Sequence, residues 1–88
     1  MYTEDELRGY VKKAFDEEGS AFRIKRYSVN GYNVTCDVES RSHKSSFPAY
    51  YHFDGENPEP EVTGGHMYGV TQHVFGKRIA DIIRRDKD

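Results

Sequence analysis

The stretch YSVNGYNVTCDV constrains this chain more than any other. Asn and Gly tolerate the positive φ angles of a tight two-residue turn, and apolar residues alternate with polar ones on both sides of Asn30-Gly31. That combination predicts an antiparallel β-hairpin. A turn at Asn30-Gly31 pairs Val29 with Tyr32 and Tyr27 with Val34. Strict alternation then sets Lys25 against Cys36 and Arg23 against Val38, leaving Phe22 and Ile24 on the polar face. One extra residue at Lys25-Arg26, a β-bulge, removes the conflict. Ile24 then faces Cys36, Phe22 faces Val38, and Arg23 faces Asp37 as a cross-strand ion pair.

The segment SSFPAYYHF extends the same logic. Pairing Val38 with Phe47, Cys36 with Ala49 and Val34 with Tyr51 keeps one apolar face and leaves residues 41–44 as a hairpin loop. Pro48 lacks an N–H, which favours a position near a sheet edge. DGENPEP reads as an exposed acidic loop, and Glu61-Val62-Thr63 as a short fourth strand.

Helices are expected on both sides of the strands. Thr3 and Glu6 have the spacing of a capping box, and Tyr2 and Leu7 that of a hydrophobic staple. Leu7, Tyr10, Val11, Ala14 and Phe15 then form one apolar stripe, with Gly19 as the stop. This helix is expected over about residues 4–18. Val74, Phe75, Ile79, Ile82 and Ile83 mark a second helix, which Met67 and Val70 extend upstream. Thr63 and Thr71 are its candidate caps. The fold expected is an α+β two-layer sandwich in the order helix, three or four antiparallel strands, helix, forming one domain over residues 1–88 with both helices on one sheet face.

Charge narrows the choice of partner. The 88 residues carry a net charge of −2, unevenly spread. Residues 23–44 hold five bases and two acids, whereas residues 54–61 hold four acids and no base. The bulk charge is therefore not that of a nucleic-acid binder, although a local basic face remains open. The single cysteine, Cys36, has no internal partner and points to a reducing compartment. MYTEDELRGY is acidic and unlike a signal peptide, and no apolar run reaches the length of a membrane span. A cytoplasmic location without membrane association is expected.

No motif names a reaction. VTGGHMYGVTQHVFGK has a glycine-rich start, but Gly76-Lys77 is followed by Arg78, so the phosphate-loop pattern fails. His66 and His73 are seven residues apart, too far for two ligands of one zinc on a single helix. His43 and His52 fall on other elements. Cys36 falls on the inward face of the middle strand, where a thiol is inert. No catalytic residue, metal ligand or cofactor is assigned. The element order resembles that of the double-stranded RNA-binding domain. GGHMYGVTQH lacks the lysine cluster that family places at the start of its second helix, so no membership follows.

The outward sheet face is the remaining candidate, with Arg23, Thr35, Asp37, Glu39, Tyr50 and His52 on it. Partner contacts are expected from Arg23, Lys25, Arg26, Tyr50 and His52, and from Arg41 and Lys44 at the hairpin tip. Tyrosine and arginine favour protein interfaces, so the expected partner is a protein, a second copy of the chain included. Single-stranded nucleic acid on the same aromatic and basic face is the alternative. A small metal-binding or enzymatic domain using the histidines is the third reading.

Overall fold

Thr3 opens the first helix in the way its spacing implies. Its hydroxyl accepts the Glu6 N–H, and the Glu6 carboxylate accepts the Thr3 N–H. The computed structural model describes residues 1–39, 45–64 and 71–87, without the side chains of residues 18–22. Within them lie α1 (Glu4–Phe22), β1 (Ile24–Asn30), β2 (Asn33–Glu39), β3 (Ser46–His52), β4 (Glu61–Gly64) and α2 (Thr71–Lys87).

α1 runs past Gly19, which was expected to end it. A glycine inside a helix costs only about 1 kcal/mol relative to alanine. The stop is Arg23, which takes a left-handed conformation (φ 56°, ψ 40°) and whose carbonyl accepts the Glu39 N–H. This corrects two expectations. Phe22 belongs to the helix backbone rather than to a strand, and Arg23 is a helix cap rather than a residue facing Asp37.

The four strands form one antiparallel sheet in the order β1-β2-β3-β4. The bulge falls where the phase conflict placed it. Pairing shifts between Ile24 and Arg26, with Lys25 the extra residue. The hairpin register differs from expectation by one step of the turn. Gly31 and Tyr32, not Asn30 and Gly31, form the turn, so Val29 pairs with Val34, Tyr27 with Cys36 and Ile24 with Val38. Gly31 alone of the two has a positive φ (62°), the pattern of a type II′ turn. Tyr32 explains the choice. Its hydroxyl donates to the Tyr2 carbonyl at 3.0 Å, and its own carbonyl accepts the Phe53 N–H. The side-chain period of a strand is two, so this shift leaves every residue on its expected face. The β2–β3 register is as expected, from Val34 with Tyr51 to Val38 with Phe47. The described part of β4 ends at Gly64, opposite Ala49, so Pro48 sits just past the last described β3–β4 pair.

One core lies between the sheet and the helices. Leu7, Tyr10, Val11 and Ala14 of α1 meet Ile24, Val34, Cys36, Val38, Ala49 and Tyr51 of the sheet and Phe75, Ile79, Ile82 and Ile83 of α2. Burying each large apolar side chain contributes about 1.5–3 kcal/mol. Both helices pack on the same sheet face: Phe15 of α1 lies on Tyr27, and Phe75 of α2 lies edge-on to Tyr51. The expected α2 stripe needs one correction, because Val74 is 45% exposed. The side of α2 that faces the sheet carries Gln72, Gly76, Ile79 and Ile83, all buried. Val74 is two residues from Gln72 and from Gly76, which turns it ~200° away from each. Thr63 is a β4 residue, not a helix cap. Met67 and Val70 lie outside the described residues.

Tyr2 does more than staple the first helix turn. It is buried, its hydroxyl donates to the Asn57 carbonyl at 2.7 Å, and its N–H donates to the Gly55 carbonyl. Its ring stands edge-on to Tyr10, Tyr32 and Phe53. The acidic loop is thereby docked, although Asp54, Glu56 and Glu59 remain exposed. Asp54 shapes it by accepting the N–H groups of Glu56 and Asn57. The Asn57 bond is the first cause of an Asp54 carboxyl held below its usual range.

Candidate interaction face on the sheet

The face of the sheet away from the helices is ordered by the strand register into three rows, with the Glu39–Ser46 pair beyond the first of them. Arg26, Asp37 and Pro48 form the first. Ser28, Thr35, Tyr50 and Thr63 form the second, and Asn30, Asn33, His52 and Glu61 the third. Antiparallel neighbours that pair directly lie close enough for their side chains to interact. The first row does so as an Arg26–Asp37 ion pair at 2.5 Å. The third does so through His52 Nδ1, 2.8 Å from Asn33 Oδ1. The second row consists of four hydroxyl side chains and carries no charge. Tyr50 is 39% exposed, and its ring lies across Gly64.

Of the residues expected to carry contacts, Arg26, Tyr50 and His52 fall on this face. Lys25 is exposed at the bulge, and no ion pair is found for it among the described residues. Arg23 does not join them, because its residue caps α1. Arg41 and Lys44 lie outside the described residues. Ser28, Asn30, Asn33, Glu61 and Thr63 complete the face. All but Asn30 follow from the alternation of β1, β2 and β4, and Asn30 joins them because the turn falls at Gly31-Tyr32.

The groups with chemical potential elsewhere are subdued. Cys36 is buried, and burial pushes its thiol up to about 11 from 9.0. A thiol needs ionisation to act as a nucleophile, so Cys36 is inert in the folded chain at neutral pH. Among the described residues no three His, Cys, Asp or Glu side chains gather as metal ligands do. His43 and His66 lie outside them. No helix of the described residues is long and apolar enough to cross a membrane.

Fold and face together define a two-layer α+β sandwich with one sheet face turned away from both helices. Comparison of the chain with protein-family models finds no match, and comparison with curated proteins finds none either.

Proposed function

We propose that this chain is a non-catalytic protein-interaction module that meets its partner through the outer sheet face. The observation that carries the reading is the second row, Ser28–Thr35–Tyr50–Thr63, uncharged and rich in hydrogen-bonding groups at the middle of the face. Protein interfaces are depleted of charge at their centre, enriched in tyrosine, and polar at the rim. The described face has that distribution, with the ion pair in one flanking row and His52 and Glu61 in the other. The buried free thiol of Cys36 suits a cytoplasmic setting, which belongs to the same reading.

Nucleic acid is the less favoured partner. A single-strand platform uses unpaired cations and successive exposed aromatics. Arg26 is engaged by Asp37, Glu39 and Glu61 add negative charge, and of the two rings among the described residues of the outer face, Tyr50 and His52, the second is held by Asn33.

A photo-crosslinking residue placed at Tyr50, with Val74 as an exposed control on α2, tests the proposal in cells. Protein adducts from position 50 and none from position 74 are expected. Adducts to nucleic acid at position 50, or equal protein adducts at both positions, count against it.

A further inference from the structure

A groove of about 770 Å³ runs between the exposed side of α1 and the free edge of β1. Asp5, Arg8, Gly9 and Lys12 line it from the helix, and Tyr27, Ser28 and Val29 from the strand. β1 is the first strand of the sheet, so among the described residues one side of its backbone has no neighbour. The Gly31-Tyr32 turn fixes which groups point that way. Residues flanking a two-residue turn bond to each other, so Asn30 and Ser28 turn their backbone groups toward β2, and Tyr27 and Val29 turn theirs outward.

The geometry points to a second copy of this chain as the occupant of the groove, its β1 joined antiparallel to this β1 about a two-fold axis at Ser28. Tyr27 of one copy then exchanges backbone hydrogen bonds with Val29 of the other, and the reverse pair does the same. The two α1 helices face each other antiparallel across the same axis, and their charges suit that arrangement. Asp5 at one end of the groove meets Lys12 of the other copy at the opposite end. Arg8 crosses Gly9, where an added Cβ would touch nothing within 4 Å.

No ion pair is found for Asp5 among the described residues. Lys12 pairs with Asp16 one turn along, with both side chains more than half exposed, a surface contact that a second acid can join. An unrelated extended peptide could use the strand edge, but it gives no account of opposite charges at the two ends of the helix stripe. An isologous contact requires that self-complementarity. Pairing would also cover an open edge, the feature of a sheet most prone to uncontrolled association. The inference does not rest on the reading of the outer face, which lies on the other side of the sheet.

Sedimentation equilibrium on the full chain, from micromolar to millimolar concentration, tests it. The unsubstituted chain is expected to dimerise. Asp5→Lys sets base against base at both cross-axis contacts and Lys12→Asp sets acid against acid, so each variant should dimerise at least about ten-fold more weakly. An equimolar mixture of the two should recover the association as a heterodimer, because both cross-axis contacts then join opposite charges. Gly9→Arg should abolish the dimer while leaving the helical circular dichroism of the monomer intact. A chain that stays monomeric throughout, a dimer indifferent to these changes, or a mixture that fails to recover overturns the inference. So does a dimer lost only on Tyr50→Ala, which would place self-association on the outer face instead.

Discussion

The Tyr51 hydroxyl donates to the Gln72 carbonyl at 2.6 Å and accepts from the Cys36 thiol at 3.6 Å. One buried oxygen thus ties the first turn of α2 to β3 and β2. Tyr51→Phe removes that donor and leaves the carbonyl to find another. The expected loss is about 1–3 kcal/mol, read from urea denaturation. Its neighbour Tyr50 points to the opposite face, so Tyr50→Ala should cost under ~1 kcal/mol. Equal losses at the two positions would mean that the outer face is covered.

Cys36 should resist a thiol reagent in the native state. It is 1% exposed between Val34 and Val38, and its thiol stays protonated at neutral pH. Labelling should therefore follow local or global opening, and accelerate with denaturant. Immediate stoichiometric labelling of the folded chain would show that the β2 face is reversed.

Alkaline pH should destabilise the fold in stages. Burial, the largest cause in each case, raises the Cys36 thiol from 9.0 to about 11 and the Tyr2 phenol from 10.0 to about 12. The Tyr10 and Tyr51 phenols are raised as well, again chiefly by burial. A folded-state pKa above the unfolded value means that the native chain holds its proton longer. That stability is complete below the unfolded value and is lost as pH climbs toward the folded one. The denaturation midpoint should thus begin to fall near pH 9. Cys36→Ala should flatten the first part of the decline and leave the later tyrosine part. A midpoint constant up to pH 11 would contradict the burial of these groups.

Two glycines should answer alanine with opposite signs. Gly64 has φ +74°, and an added Cβ would come within 2.9 Å of both the Pro48 carbonyl oxygen and the Tyr50 ring. Gly64→Ala should therefore destabilise by more than ~1 kcal/mol. Gly9 lies in α1 with open space beside it, and Gly9→Ala should stabilise the monomer by about 0.5–1 kcal/mol. Thermal melts at a concentration that keeps the chain monomeric would read both.

Features governed by short-range periodicity were legible from the residues. The bulge at Lys25 followed from the conflict between the phases of Ile24 and Tyr27, and the pairing of Val38 with Phe47 from alternation alone. What escaped was decided by distant contacts. Local turn preference favours Asn30-Gly31, but Tyr32 is held by Tyr2 and Phe53, and that long-range choice moved the turn. Arg23 was misplaced for a similar reason: a glycine penalty of about 1 kcal/mol did not end the helix at Gly19. Val74 is apolar and lies near α2 core residues in sequence, yet the helix phase fixed by Gly76 against the Tyr51 ring turns it outward. On the candidate face, Tyr50 and His52 could be found because strand three has one consistent register. Asn30 depended on the turn and was missed, whereas Ser28, between Tyr27 and Val29, faces outward in either register and was overlooked.

The extra residue at Lys25 also determines where this chain can change in length. A helix repeats every 3.6 residues and a strand every two, so a chain passing from α1 into β1 must reconcile two phases that share no common step. The bulge is the slack at that joint. Removing Lys25 would leave Ile24 opposite Val38 by plain alternation, with every later pair unmoved. The same one-residue change inside β2 has no such slack, and would turn either Cys36 and Val38 or Val34 out of the core. Insertions and deletions should therefore be absorbed at the α1–β1 joint and rejected one strand further on.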